Sequence, residues 1–259
     1  MTQNPTRNQG ARAPGILSFP ALAASIAIAT QASADETHGS ITATATPSVD
    51  AAFDIVEAAV VLDGHIATFR ITVTGTAGAT RPLAAGQLGG SAVHSYVWPT
   101  SLDPSAVGFE AGSGILSLAV TAHPDFDDTP LYDENNDGDP ANDGADWHSH
   151  WVVLAPTEGC GDGALGVVDI PDGAAPPLPS TWPGLPLLID SPGWDPVLTQ
   201  DSVTVRVPFT AGTVSGHTAF DGVTAGLRVS EHVHAPLLCV TDVFDVASGD
   251  LSLPGRFAE

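Results

Sequence analysis

The sequence predicts an all-β protein: an antiparallel β-sandwich, Greek-key or jelly-roll-like, with long Asp- and Pro-rich loops and little helix. Three observations predict it. Short apolar segments alternate with a period of two, turn residues interrupt them at short intervals, and long 3.6-residue periodicity is nearly absent.

The apolar run 53–62 is followed by Asp63-Gly64, a tight-hairpin signal. Ala67, Phe69, Ile71 and Val73 then alternate with Thr68, Arg70, Thr72 and Thr74. Residues 91–98 form the next strand. Asp103-Pro104 pairs an N-cap with a first-position proline and starts at most about two helical turns. Leu116, Leu118 and Val120 alternate with Ser117, Ala119 and Thr121. Strands follow over 147–154, 164–170, 223–234 and 237–246, and Val203, Val205, Val207 and Phe209 mark another. The stretch 171–196 holds eight prolines with Trp182 and Trp194. Proline removes a backbone donor, so no regular element fits there. An ordered loop pinned by its tryptophans and residues 185–189 is expected; a linker between two domains is the competing reading. Cys160 and Cys239 flank the stretch, and a disulfide between them favours one domain over 35–259.

At the N-terminus, Arg7 and Arg12 precede an apolar run over 16–29, and Ala32-Ser33-Ala34 follows. This is the pattern of a secretory signal, 1–34, with cleavage expected after Ala34. The run is shorter than the roughly 20 apolar residues of a spanning helix. The expectation is therefore a periplasmic or secreted protein with no membrane insertion after cleavage. In such a compartment Cys160 and Cys239 default to a disulfide bond. A thiolate metal site would want a CxxC-type neighbour, and neither cysteine has one. Thirty acidic residues against seven basic ones, all arginine, give a net charge of −23. Nucleic acid and anionic membranes would repel such a chain, whereas cations would be drawn to it.

The acids concentrate in 125–150, DFDDTPLYDENNDGDPANDGADWHSH. Asp133, Asn135 and Asp137 occupy alternate positions before Gly138. That spacing resembles the start of the EF-hand and dockerin type of calcium loop, and the resemblance implies Ca²⁺ held by side-chain oxygens that a curling loop turns to one centre. Gly144 stands where the pattern has its bidentate glutamate, so Asp139, Asp143 or Asp146 would close the shell. Asp125, Asp127 and Asp128 add oxygens from the entering arm. A solvated acidic turn is the alternative.

Trp147-His148-Ser149-His150-Trp151 opens a strand, and residues i and i+2 of a strand share a face. His148 and His150 therefore project together. His232 and His234 repeat the spacing on the polar face of the 223–234 strand. If the two strands are neighbours, four imidazoles converge, which suits Zn²⁺ or Cu²⁺. His94 and His123 are possible further ligands. Otherwise the first pair supports the acidic loop through hydrogen bonds and the second is an exposed strand face. The Trp-His-Ser-His run resembles a copper-ligand motif of multicopper oxidases, but their His-Cys-His motif and methionine are missing, Met1 being the only methionine. The zinc-loop order of copper/zinc superoxide dismutases and the HxH-plus-glutamate spacing of cupins are absent too. There is no Gly-x-Ser-x-Gly elbow, phosphate loop or dinucleotide fingerprint.

The function these features favour is metal binding or delivery at the cell envelope, with metal ions as partners. Two alternatives stay open. One is a small metalloenzyme, hydrolytic or redox, that uses the His cluster. The other is a calcium-stabilised extracellular interaction or carbohydrate-binding module.

Overall fold

The computed structural model describes residues 33–35 and 39–259. The expected signal segment 1–34 lies outside them, apart from Ser33 and Ala34. Strands are numbered in chain order. A six-stranded antiparallel sheet has the order β1 (Ser33–Asp35), β2 (Ser40–Thr42), β3 (Ile55–Asp63), β4 (Ile66–Val73), β11 (Ser202–Pro208) and β10 (Val197–Leu198). The turn that joins β3 to β4 is Gly64-His65, one residue later than the Asp63-Gly64 signal, because Asp63 still pairs with Ile66; Gly64 takes the first loop position at φ 63°.

The second sheet runs β6 (Ile115–Ala122), β5 (Ala92–Pro99), β13 (Val223–Val229), β14 (Leu238–Val246), β8 (Leu165–Val167) and β7 (His148–Pro156). Strand β6 also pairs with β7, so the sheet closes into a six-stranded barrel. The short β9 (Ile189–Asp190), from the Pro-rich loop, adds to β7. A separate pair joins β12 (Ala219–Phe220) to β15 (Gly255–Arg256). Helix is limited to two single 3-10 turns, Pro104–Val107 and Glu158–Cys160, among the described residues. Asp103 caps the first, its Oδ1 accepting the Ser105 N–H at 2.9 Å.

The all-β, antiparallel expectation holds, but the simple sandwich is corrected to a barrel against a sheet. Leu116, Leu118 and Val120 of β6, with Trp98 and Trp151, point out of the barrel and pack with Phe69, Ile71 and Val205 of the first sheet. Ala119 and Thr121 of β6 point inward, where Val93, Val97, Val152, Ala225 and Leu227 form a second core. A small barrel has little interior volume, and β6 is buried on both of its faces. Alternation along β6 thus separates large from small side chains, not apolar from wet ones.

One seam of the barrel is thin. Strands β14 and β8 share a single residue pair, Cys239 with Gly166. The Cys160–Cys239 disulfide, as expected from sequence, crosses at that point. A Cβ on Gly166 would lie 3.0 Å from the Cys160 sulfur, so glycine lets the bridge lie against the strand. For a sequence separation of 79, the chain-entropy contribution is on the order of 4 kcal/mol.

The predicted strand 223–234 also needs correction. It ends at Val229. Ser230 N–H donates to the Leu237 carbonyl at 2.7 Å, closing the hairpin, and the His232 N–H donates to Ser230 Oγ at 3.2 Å. Residues 231–235 form an exposed turn, with His234 at φ 62°.

Candidate metal centre

Strands β6 and β7 are joined by the acidic loop, and their register builds the site. Thr121 pairs with His148 and Ala119 with His150. The two-residue period puts both histidines on one face, as the spacing predicts, and both are 1% exposed. His123 lies just past β6, on the same side as Thr121. Its backbone N–H donates to the Gly144 carbonyl at 2.6 Å, drawing the end of the acidic loop over it. A Cβ on Gly144 would overlap the Phe126 carbonyl oxygen. The glycine at this position is thus required by close approach of the two arms. Phe126 stacks on the His123 ring, with centroids 3.9 Å apart and planes at 7°. Asp128, 5% exposed, comes from the descending arm, where the Ser191 hydroxyl donates to its carbonyl at 2.6 Å.

Four donor atoms converge. Asp128 Oδ1 lies 3.2 Å from His123 Nε2, 3.1 Å from His148 Nε2 and 3.3 Å from His150 Nε2. The Nε2 atoms of His123 and His148 are 3.0 Å apart, and all four atoms lie within 4.8 Å of one another. Among the described residues this is the one group of three or more such side chains arranged to hold a metal ion.

The outward-facing nitrogens fix the tautomers. His123 Nδ1 sits 2.9 Å from the Phe126 carbonyl and His148 Nδ1 2.8 Å from the Asp146 carbonyl. A carbonyl only accepts, so both Nδ1 atoms carry a proton. His150 Nδ1 is 3.1 Å from Ser191 Oγ, whose own proton goes to Asp128, so His150 also donates from Nδ1. Each ring in its neutral form then turns an Nε2 lone pair toward the centre. His150 Nε2 and Asp128 Oδ1 are buried with no hydrogen-bond partner. Buried polar atoms are nearly always paired, and a cation between them would satisfy these two.

The electrostatics agree with a centre built for positive charge. Burial alone would push the Asp128 carboxyl up, but the surrounding imidazoles outweigh it and hold the group well below the usual carboxylate range. Burial would also depress His148, yet the Asp128 carboxylate raises it above the ordinary imidazole value. His150 is lowered, because burial and the charge of its neighbours outweigh the pull of Asp128. Glu134 stands nearby with its carboxyl raised by burial, and Thr129 Oγ1 donates to it at 3.2 Å.

The other expected ligands lie elsewhere. His232 and His234 are in the exposed turn after β13, and His234 Nε2 is 3.3 Å from Asp172. They do not join His148 and His150, because β13 ends before reaching them. His94 points away from the barrel interior, edge-on to Phe53 and Phe244 at 5.2 and 5.5 Å. In the acidic loop the side-chain oxygens mostly turn the backbone. Asp133 accepts from the N–H groups of Asp137 and Gly138, Asn135 from Asp137, Asp137 from Asp139, and Asp139 from Ala141. Asp146 meets Arg81 at 3.3 Å on the surface. Asp143 is buried and accepts the Glu134 N–H at 2.9 Å, with its other oxygen unpartnered. These residues carry the loop that covers the cluster. His123 and Asp128, which sequence places only at the margin of the site, are two of its four members. The hairpin register could have found the first: when Thr121 faces His148, His123 is next along the same face.

No protein-family model matches this chain, nor does any curated protein or solved structure.

Proposed function

We propose that this is an exported metal-binding β-barrel protein in which His123, Asp128, His148 and His150 hold one Zn²⁺ or Cu²⁺ ion. The observation that carries the reading is the fixed set of Nδ1 donors, which leaves three Nε2 atoms and an unpartnered carboxylate oxygen aimed at one point. The distances support it. A tetrahedral ion with bonds of about 2.0–2.1 Å has donor atoms about 3.3–3.4 Å apart. Four of the six donor separations span 3.0–3.3 Å, and the two between His150 Nε2 and the other imidazole nitrogens lie within 4.8 Å. Neutral imidazole suits zinc and copper, whereas Ca²⁺ wants about six to eight oxygens and finds one carboxylate here. The donors are buried beneath the 125–146 loop, and releasing an ion would require that loop to lift. This favours a resident ion over cargo for delivery. One wall of the site opens to the barrel interior, which keeps the metalloenzyme as the second reading.

The test is elemental analysis of the protein purified from its native host, beside the His148→Ala/His150→Ala and Asp128→Ala variants. Near one zinc or copper per chain is expected in the parent and far less in the variants. A metal-free parent, or variants that keep the metal, would defeat the assignment. Fractionation of the host should place the protein in the periplasm or medium.

A further inference from the structure

Resting on that metal reading, we infer that the barrel lumen is a binding chamber for a small uncharged ligand of two to about four heavy atoms, which takes an additional coordination position on the ion. Three of the four donors, His123, Asp128 and His150, line the lumen; His148 does not. The ion is therefore closed behind by His148 and open through the face made by the other three. Zinc-type ions expand from four to five ligands through such a face.

The size of the occupant follows from the chamber. Its volume is about 90 Å³. That is room for about three water-sized molecules, and less than the roughly 150 Å³ that accommodates benzene. Its charge follows from the walls. Val97, Val152, Val167, Ala225 and Leu227 supply apolar surface. Ser95 Oγ is already engaged with the Ala225 carbonyl at 2.9 Å, and Thr121 Oγ1, 3.1 Å from His148 Nε2, is the one wall hydroxyl left when that nitrogen binds the ion. An anion entering this lumen would lose its hydration among apolar walls and find a single hydroxyl donor short of the metal. A neutral diatomic of the nitric oxide kind, which Cu²⁺ and Co²⁺ bind, loses little.

A route to the surface lies at the far end. A second cavity of about 360 Å³ shares Pro99, Leu154, Leu165 and Leu251 with the lumen. Leu251 lies at the junction and is 43% exposed. It and Leu253 hold φ of 58° and 52°, a region that costs a non-glycine residue about 1 kcal/mol or more. The junction of the two cavities is thus lined by a residue with a strained backbone.

The experiment uses the full protein loaded with Co²⁺, whose visible spectrum reports coordination number, and anaerobic nitric oxide as the probe. A saturable spectral change is expected with nitric oxide and none with azide at the same concentration. Ala225→Phe, which fills the lumen away from the donors, should keep one cobalt per chain and weaken nitric oxide binding at least about tenfold. Should that variant fail to fold, Leu251→Gly gives the second arm: unchanged nitric oxide affinity, with association and dissociation both faster. Cobalt-loaded parent protein that ignores nitric oxide overturns the inference. So do equal binding of azide, full binding in Ala225→Phe, and unaltered rates in Leu251→Gly. Failure of cobalt to load at all is a different result, and it overturns the metal centre itself together with its ligand.

Discussion

Adding zinc to chelator-treated protein should raise its melting temperature, and adding calcium should not. Four of the six donor separations, 3.0–3.3 Å, fit a small ion with only slight expansion, and the set offers it three imidazole nitrogens and one carboxylate. Calcium takes about six to eight oxygens, and this set offers it one carboxylate and three nitrogens. A ligand that binds only the folded state stabilises it by about 2.7 kcal/mol at 100 times its dissociation constant. For a domain of this size that corresponds to a rise of about 5–10 °C, at roughly 2–4 °C per kcal/mol. Differential scanning calorimetry of the same sample with chelator, zinc, copper or calcium reads the effect directly. A zinc shift below about 1 °C, or a calcium shift as large as the zinc shift, would refute the geometry-based choice of ion.

Other consequences can be checked separately. Ser191→Ala removes the hydroxyl that accepts from His150 Nδ1, and zinc affinity should fall about 10–100-fold with the fold intact; competition against a chromophoric chelator measures it. Asp137→Ala, in the exposed part of the acidic loop, should leave that affinity unchanged. Metal-free protein should show a stability maximum near about pH 6.5, the unfolded imidazole value. His148 is raised, so its contribution is present below that pH and is lost as pH rises through its folded value. His150 is lowered, so its contribution is present above about 6.5 and is lost as pH falls through its folded value. Denaturant unfolding across pH would show the maximum, which His148→Gln should erase on the alkaline side. Replacing Cys160 and Cys239 together by serine should cost about 2–5 kcal/mol in the same assay, with little effect on zinc affinity.

Much of the strand content can be read directly because each hairpin carries its own local signal. Asp63-Gly64 marks one turn, and the two-residue period of 67–73 marks the strand that follows. Barrel closure has no such signature. It depends on β6 meeting β7 across a loop of irregular length and on a single pair between β8 and β14. Ser117, Ala119 and Thr121 look like a wet face in one dimension, and only the closed sheet turns Ala119 and Thr121 into the walls of a lumen. The site divides the same way. The spacing of His148 and His150 requires that they project together, whatever the fold. The same spacing in His232 and His234 carries no such consequence, because their segment never joins the ladder. Asp128 lies in an arm without periodicity, so composition alone does not distinguish it from its neighbours Asp125 and Asp127.

The four donors all belong to one hairpin and its loop. His123 and His148 are separated by 25 positions, whereas the bridge that staples the barrel spans 79. Short loops close sooner and at lower entropic cost than long ones. Chain distance therefore allows the segment 115–156 to gather its donors around an ion while the remaining strands are still unpaired. An ion captured at that stage would act as a template, holding β6 against β7 so that β5 and then β13 have an edge on which to add. The oxidation that joins Cys160 to Cys239 would come last, locking a barrel whose first turn the metal had already drawn.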